Sequence, residues 1–463
     1  MAIGSSDLEL PVGEKRLFER LAEQAVPERA RGKPRVQEPR RDTIELRVVD
    51  LDSLVAADDP VRDVWAYVAT LDVTRLEAAI EAREGEPGRP AIPPKLLLAL
   101  WLHATLRGVG SARELERLCE REVSFQWLCG GVGVNYHTLS DFRVANDALL
   151  DRLLSESVAV LIKEGLVTLD RLSLDGLRVR AAAGAASFRR GESLKKCLTK
   201  ATALVAALRC EVADDPAAPE RRRRAARERA AVERVARIKV AQERHKALQE
   251  ERRRREETNA NQTKEQKEPR ASTTDPEARV MKMPDGGFRP GYNGELIAEP
   301  RSGVILGVAV DTSGSDRGWV KPMVEQVKER YGQAPKELLV DAGFSNAADI
   351  EWAAQPENGA VAVFMAPTKN KHGTDPYQPR DRDGPGVAAW RVRMASAAGQ
   401  VIYRLRAIHE CINAHLRQRR LYRMTVRGAA KVRMILLWHA LAHNVARACA
   451  LRRQRHAALA TGA

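Results

Sequence analysis

Several residue patterns that would assign a common function are missing from this sequence. Aromatic residues make up only 5% of it, which argues against a stacking platform for single-stranded bases. The six cysteines form no C-x-x-C pair, so zinc-finger spacing is absent and reduced thiols are expected. No run of 18 or more apolar residues occurs, and the first residues contain no signal-peptide core. We therefore expect a soluble, cytoplasmic protein.

The composition shows an excess of positively charged residues. The chain has 77 Lys and Arg residues against 62 Asp and Glu residues, a net charge of +15. An excess of this size suits a polyanionic partner, and nucleic acid is the usual one. The length of 463 residues is enough for two or three domains, each with its own core.

Helical and extended patterns follow one another along the chain. Residues 43–165 show helical periodicity with breakers, and Ser111 with Glu114 forms a capping box. Residues 168–184 favour a strand, and 192–270 indicate a charged antiparallel helical hairpin. Further strand and helix signals follow, with a hairpin turn expected at Asp285-Gly286-Gly287. This order predicts an α/β domain that is interrupted after its first strand.

Two aspartates follow apolar strand patterns of that domain. They are Asp175 in LSLDG and Asp341 in LLVDAG. Functional groups gather at strand ends in α/β sheets, because the sheet holds them rigidly beside open space. Each also has a structural explanation, since Asp175 could form a turn with Gly176 and Asp341 could begin a helix. Asp311 in VAVDTSG is the substitute for Asp175, although its surroundings favour a turn.

The segment YRLRAIHECINAHLRQRR, residues 403–420, has one acidic residue among many arginines. On a single helix, Tyr403, Arg406, Glu410 and Arg417 would share one face. Surface ion pairs would account for this at little energetic gain. Alternatively, three carboxylates can hold two Mg²⁺ ions about 4 Å apart for phosphoryl transfer. Arginines beside them would pair with phosphate.

Together these segments resemble bacterial insertion-sequence transposases of the DDE class, which carry an RNase H-like core. The likeness covers the chain from about residue 43, and six segments carry it: GSARELERLCE, FQWLCGGVGVNYHTLSDFRVAN, LDGLRVRAAAG, STTDPEARVMKMPDGGFRPGYNGE, LLVDAGFSN and a Y-x2-R-x3-E-x6-K/R motif. The resemblance implies an α/β fold, with an RNase H-like mixed sheet flanked by helices. The resemblance also implies an all-helical N-terminal domain and a helical-hairpin insertion.

The resemblance also implies residue roles and partners. Asp175, Asp341 and Glu410 would be the catalytic carboxylates and ligands of two Mg²⁺ ions, for which Mn²⁺ could substitute. Tyr403, Arg406 and Arg417 would contact DNA. The partners would be double-stranded terminal inverted repeats and target DNA at the nucleoid, with a homodimer or larger assembly in the active complex.

Five segments follow from this interpretation: a basic tail at 1–42, a helical and DNA-binding domain at 43–165, a catalytic domain at 166–191 plus 271–450, a charged insertion at 192–270 and a basic tail at 451–463. Two departures from the family pattern stand out. Arg417 occupies a position where lysine is commonest, so the geometry of phosphate contact could differ. The stretch between Asp341 and Glu410 leaves no room for the β-rich insertion of some relatives, which puts a hairpin-ended DNA intermediate in doubt.

Other functions stay open at this level. A catalytically inactive DNA-binding repressor derived from such an element, or a nuclease with the same core, would have a similar sequence. His439 and His443 have a spacing that can bind zinc, but no H-E-x-x-H motif is present and their surroundings are apolar. The GGVGV stretch lacks the Lys-Ser/Thr of a phosphate loop, which makes nucleotide binding improbable.

Overall fold

A computed structural model describes residues 48, 50–83, 85, 90–214, 218–258, 268–367 and 375–461, with side chains left out at 211–222 and 258. The predicted basic tail at 1–42 lies outside these residues. Residues 50–463 form one compact unit. The stretch 451–461, predicted as a tail, continues the C-terminal helix.

In the part of the chain that the structure describes, seven helices precede the sheet, as the helical periodicity predicts. They are α1 (Pro60–Ala69), α2 (Thr74–Ala78), α3 (Pro94–Leu106), α4 (Ala112–Arg121), α5 (Val123–Cys129), α6 (Tyr136–Ala145) and α7 (Asp147–Lys163). The capping prediction is confirmed, since the Ser111 hydroxyl accepts a hydrogen bond of 3.4 Å from the Glu114 backbone N–H. Helix α3 is buried on nearly all sides, so it forms the centre of this helical region.

Eight strands follow among the described residues: β1 (Arg171–Arg180), β2 (Phe188–Arg189), β3 (Ala271–Ser272), β4 (Arg279–Lys282), β5 (Phe288–Ala298), β6 (Ile305–Asp311), β7 (Glu337–Val340) and β8 (Ala362–Met365). The main sheet has the order β4-β5-β1-β7-β8, and β6 also pairs with β5. The short strands β2 and β3 pair with each other and close the base of the insertion.

The pairing directions define the RNase H-like arrangement. Strand β5 is antiparallel to both β1 and β6, whereas β7 is parallel to β1 and β8 is parallel to β7. The long strand β5 serves two partners along one edge. Its first half pairs with β4 through the predicted Asp285-Gly286-Gly287 turn, and its second half pairs with β6. The predicted mixed sheet is therefore confirmed.

Within the described ranges, eight further helices surround this sheet and form the insertion. They are α8 (Gly191–Asp214), α9 (Ala218–Thr258), α10 (Val320–Tyr331), α11 (Ala347–Ala354), α12 (Pro385–Ala395), α13 (Ala397–Arg404), α14 (Ile408–Gln418) and α15 (Ala429–Thr461). Helices α8 and α9 form the predicted antiparallel hairpin, because Arg209 pairs with Glu228 near its tip while Gly191 lies beside His245 near its base.

Two hydrophobic cores lie on opposite faces of the sheet. One unites α1–α6 and part of α7 with α14, α15 and the alternating residues Leu177 and Val179 of β1. The other packs α10, α11 and α12 against Leu172 and Leu174 of β1 and against β7 and β8. The alternation along β1 follows from the two-residue period of a strand. The N-terminal helices thus share one core with the C-terminal helix.

The single helix predicted over 403–420 is wrong in detail. Helix α13 ends at Arg404, a 3₁₀ turn covers Leu405–Ala407, and α14 begins at Ile408. The tighter 3₁₀ winding changes the angle between successive side chains. Tyr403, Arg406 and Glu410 therefore do not lie along one continuous helix face.

Among the described helices, α15 alone is long and apolar enough to cross a membrane, and 72% of its apolar window is buried within the protein. Its buried residues include Trp438, Leu441 and Asn444. Such burial is typical of the central helix of a core.

Candidate active site

Two adjacent parallel strands bring the predicted aspartates together. The pairing of β1 with β7 ends at Leu174 and Val340, so Asp175 and Asp341 are the next residue on each strand. Neighbouring strands lie about 4.8 Å apart. Strand β1 continues for five residues past Asp175, to Arg180, whereas Asp341 leaves the sheet and caps a 3₁₀ turn. Asp175 therefore lies within a strand and not at its end, while its parallel partner stops beside it.

The surroundings of Asp175 raise the pKa of its carboxyl to about 6. Burial is the main cause, because it removes water from the charged form. The Arg406 guanidinium and the Gly176 backbone N–H lower the pKa, while the carboxylates of Asp341 and Asp316 raise it. Acidic groups thus crowd this point of the sheet with one arginine opposing them, and a bound cation would relieve their repulsion.

Helix α14 is attached to β1 by two polar side chains that the sequence interpretation missed. The Nε2 atom of His409 lies 2.8 Å from the carbonyl oxygen of Ser173. One turn later, the Asn413 side-chain amide donates a 3.4 Å hydrogen bond to Asp175 Oδ2. Both residues are buried on the face that also carries Ile412 and Leu416. The i,i+4 spacing of His409 and Asn413 within an apolar helix face is the sequence pattern that could have indicated their role.

Glu410 occupies the first turn of α14, between those two residues. Its side chain is exposed. In the described part of the chain, no three His, Cys, Asp or Glu side chains are close enough to hold a metal ion together. The structure therefore brings Asp175 and Asp341 together and lays the Glu410 helix against the Asp175 strand, but Glu410 does not join the two aspartates.

The predicted DNA-contacting residues divide into two places. The Arg406 guanidinium lies 5.8 Å from the centre of the Tyr403 ring. Both side chains interact electrostatically with the aspartates, Arg406 with Asp175 and Tyr403 with Asp341. The pKa of the Tyr403 hydroxyl is raised by burial, with Asp341 contributing. Arg417 is exposed near the other end of α14. Tyr403 and Arg406 thus border the aspartates, and Arg417 does not.

A second acidic group lies across the sheet from the Asp175 side chain. Glu295 pairs with Gly176 across β5 and β1 and is completely buried. The Asn293 amide donates to Glu295 Oε1 at 2.7 Å and to Asp316 Oδ1 at 2.5 Å. Burial raises the pKa of Glu295 well above its usual range, and Asp316, Asp311 and Asp175 raise it further. Strand alternation in GYNGELIA could have indicated this inward-facing carboxyl.

Gly176 is required by this arrangement. A Cβ atom on it would lie 2.8 Å from Asn293 Nδ2 and 3.0 Å from Asp316 Oδ1. Separations below 3.0 Å would force the Asn293 amide to move. The Asp175-Gly176 sequence, which could have been a turn, instead lets two acidic side chains pack over the backbone of β1.

The remaining sequence candidates have structural roles. Asp311 accepts hydrogen bonds from the backbone N–H groups of Ser313 and Gly314 at 2.9 and 2.8 Å, and so forms the expected turn. His439 Nδ1 lies 2.8 Å from the Ile435 carbonyl oxygen, and His443 Nε2 lies 2.9 Å from the Gly303 carbonyl oxygen. These histidines are buried polar anchors within the core.

Two regions of the chain match known protein families. Residues 49–145 match a transposase domain (DUF772), and residues 261–445 match a transposase DDE domain. Asp341 and Glu410 fall within the second match, whereas Asp175 lies between the two. No curated protein and no solved structure matches the chain significantly.

The chain combines an RNase H-like sheet that carries paired aspartates with two regions that match transposase domains. Together these features define a transposase. Within that class, the chain belongs to the insertion-sequence transposases of the DDE family. Members of this family are transposition enzymes that act on DNA and generally use divalent metal ions.

The carboxylate oxygens of Asp175 and Asp341 are suitable ligands for a divalent metal ion. Asp341 Oδ1 accepts the Ala342 backbone N–H at 2.8 Å, while its Oδ2 has no hydrogen-bond partner among the described residues. The Asn413 contact to Asp175 Oδ2, at 3.4 Å, is weak. Carboxylate oxygens are the ligands that Mg²⁺ and Mn²⁺ prefer. Asp175 and Asp341 would hold the ion.

Proposed function

We propose that this protein binds the terminal inverted repeats of its insertion sequence, hydrolyses phosphodiester bonds to release 3′-hydroxyls, and transfers those hydroxyls to target DNA. Asp175, Asp341 and Glu410 act as the catalytic carboxylates with two Mg²⁺ ions, for which Mn²⁺ substitutes. Both reactions are in-line displacements at phosphorus, so one site serves both when only the nucleophile changes.

The parallel register of β1 and β7 is the observation that carries this proposal. It sets two carboxylates side by side at a point where burial and repulsion raise the pKa of Asp175. Perturbed carboxyls at such a position are typical of functional sites. Positive charge on Arg406 opposes the acidic group and is available to a DNA phosphate.

Each residue has a defined task in this mechanism. When bound, the divalent ions supply charge that stabilises the attacking and leaving oxygens. The carboxylates of Asp175 and Asp341 orient that charge from the rigid sheet. Glu410 turns from solvent towards the aspartates, a movement that its exposure leaves free. Tyr403 and Arg406 position the scissile strand, and Arg417 contacts the backbone farther along α14.

The division of labour along the chain is part of the same proposal. The helical region at 43–165 recognises the DNA ends, and the domain at 166–191 plus 271–450 performs catalysis. The insertion at 192–270 extends from the catalytic domain. Two ends must be held together for transfer, so the working form is a homodimer or a larger assembly acting on the nucleoid in the cytoplasm.

Strand cleavage of a duplex carrying the element's end tests the proposal. Glu410→Gln removes one charge from an exposed side chain and is expected to reduce nicking in Mg²⁺ by about 1,000-fold, in line with the loss of an essential catalytic group. Glu120→Gln, also exposed and far from the aspartates in sequence, is the matched control and should cut normally.

Three results would contradict parts of this proposal. Normal cutting by Glu410→Gln would remove Glu410 from the site. Binding of the ends without metal-dependent nicking by the wild-type protein would favour the repressor. Nicking without joining of the cut ends to a second duplex would favour the nuclease.

A further inference from the structure

An arginine-rich cavity lies between the two regions that match transposase domains. Its volume is about 550 Å³, and its lining joins the Gly108–Ser111 turn to the segment that follows α14. Four of its lining residues form what we call the arginine cluster: Arg143, Arg419, Arg420 and Arg423. The cluster lies beyond the C-terminal end of α14, outside the group of aspartates.

Arg143 forms the floor of this cavity. Its side chain is more than nine-tenths buried and lies 4.5 Å from the centre of the Trp101 ring. Its Nη1 donates to the Gly110 carbonyl oxygen at 2.5 Å, while its Nε has no hydrogen-bond partner. Burial lowers the pKa of the guanidinium to about 10, so it stays charged at neutral pH. A buried charge with an unused donor is costly unless an anion meets it.

Two other members of the cluster are available to such an anion. Arg420 and Arg423 are exposed at the mouth of the cavity. Within the described residues, no carboxylate lies within ion-pairing distance of any arginine of the cluster. Glu114 is the acidic residue of the lining, against five arginines once Arg427 is included. The cavity therefore carries a net positive charge.

Arg420 has an unusual backbone. Its φ of 62° is left-handed, a conformation that costs an L-residue free energy that glycine would avoid. The turn is held from both sides, because Gly108, itself at φ 70°, packs against the backbone of Arg419 and the side chain of Arg420. This conformation ends α14 as an ordinary left-handed helix cap, in which the Leu421 N–H donates to the Leu416 carbonyl oxygen at 3.0 Å. The cap places Arg420 beside Gly108 in the lining of the cavity.

We propose that the arginine cluster binds one phosphate group of the DNA backbone and thereby ties the N-terminal helical region to the catalytic domain on the DNA. Arg143 supplies the buried donor, and Arg420 and Arg423 close over the phosphate with bidentate guanidinium contacts. Nine residues of helix separate Glu410 from Arg419, about 13 Å at 1.5 Å per residue. That length equals roughly four base steps at 3.4 Å each.

The salt dependence of DNA binding tests this site with the full-length protein. The proposal rests on the proposed function, since it requires DNA as the partner. For a duplex carrying the element's end, Arg420→Gln should weaken binding about 10-fold at low salt and reduce the slope of log K against log salt by about 0.9, the loss of one phosphate contact. Arg229→Gln removes an exposed charge from α9, in the insertion to which no DNA contact is assigned, and should leave the slope unchanged.

A second variant separates binding from folding. Arg420→Gly relieves the left-handed backbone, so it should unfold at the same or a higher temperature than the wild-type protein while binding DNA about 10-fold more weakly. Retention of wild-type DNA affinity by Arg420→Gly would overturn the proposal, because the arginine would then be structural.

Neutral methylphosphonate substitutions in the duplex locate the phosphate. One position should weaken binding by the wild-type protein and have no effect on Arg420→Gln. If inorganic phosphate raises the unfolding temperature of the wild-type protein but no DNA position is sensitive, the cavity binds a free anion and the proposal fails. If wild-type protein binds and cuts DNA while Arg420→Gln keeps the full slope, only the cluster is wrong. If wild-type protein binds no DNA, the proposed function itself fails.

Discussion

His409 Nε2 and the carbonyl oxygen of Ser173, 2.8 Å apart, join the helix that carries Glu410 to the strand that carries Asp175. Burial lowers the pKa of His409 to about 4, so the ring is neutral at physiological pH and Nε2 must donate its proton to the carbonyl. The contact involves two residues that precede Asp175 and Glu410 closely on their own elements. It therefore sets the distance between strand and helix at the candidate site.

His409→Ala should slow strand cleavage more than it weakens DNA binding. The change leaves the Ser173 carbonyl without its buried partner, which costs about 1–3 kcal/mol of stability, and allows α14 to move relative to β1. Nicking rates and DNA affinities measured on the same preparations check this, with the exposed His456→Ala as control. Equal losses of cleavage and binding would show that His409 only supports the fold.

Asp175→Asn should abolish cleavage and stabilise the metal-free protein at neutral pH. The carboxyl has a pKa of about 6 in the folded protein, against an ordinary value of 3.8 for aspartate. The folded state therefore binds the proton more tightly, and stability is lost as pH rises from about 4 to 6. Asparagine avoids this loss, which is on the order of 3 kcal/mol at pH 7. Thermal unfolding at pH 4 and pH 7 measures the difference, which should vanish at the lower pH.

Added Mg²⁺ should make the wild-type protein more stable than Asp175→Asn, the reverse of the order without metal. Binding to the folded state raises stability by mass action, so Mg²⁺ should raise the unfolding temperature of the wild-type protein and have little effect on Asp175→Asn. Asp141→Asn, an exposed residue of α6, should respond as the wild-type protein does. An equal Mg²⁺ response in all three proteins would count against Asp175 as a ligand.

Glu295→Gln should stabilise the protein above pH 5. Burial and nearby carboxylates hold the pKa of Glu295 well above 4.5, so ionisation of the unfolded state draws the equilibrium towards unfolding as pH rises. Glutamine keeps the size of the side chain and the Asn293 contact, but has no charge to bury. Urea unfolding at pH 4.5 and pH 7.5 should show a gain at the higher pH alone. A loss at pH 7.5 would mean that the charged form is needed.

Gly176→Ala should destabilise the sheet. The added methyl group would meet Asn293 Nδ2 at 2.8 Å, and moving that amide disturbs its bonds to Glu295 and Asp316. A cost of about 1–3 kcal/mol is typical of such overpacking. Gly184→Ala is the matched control, since a Cβ there meets nothing within 4 Å. Comparison of denaturant midpoints measures the effect, and similar midpoints for both variants would contradict the crowding at Gly176.

The periodic parts of the fold followed directly from the sequence. The helix beginning at Ser111, the Asp285-Gly286-Gly287 hairpin, and β7 ending before Asp341 are local events, set by side-chain period, capping and turn chemistry within a few residues. The helix predicted over 403–420 failed near its N-terminal end, because a 3₁₀ turn at Leu405–Ala407 has no strong local signal and arises where α13 and α14 pack on different sides of the sheet.

The sequence by itself determined which carboxylates lie on or directly after strands, which segment is inserted and how much positive charge the chain carries, since each depends on neighbours along the chain. Only the tertiary structure decided that Asp175 meets Asp341, that His409 and Asn413 anchor α14, that Glu295 is buried behind Gly176, and that Arg143 and Arg420 line the same cavity. These pairs are brought together by strand register and helix packing across long separations. Register and packing depend on the whole core, which no local pattern contains.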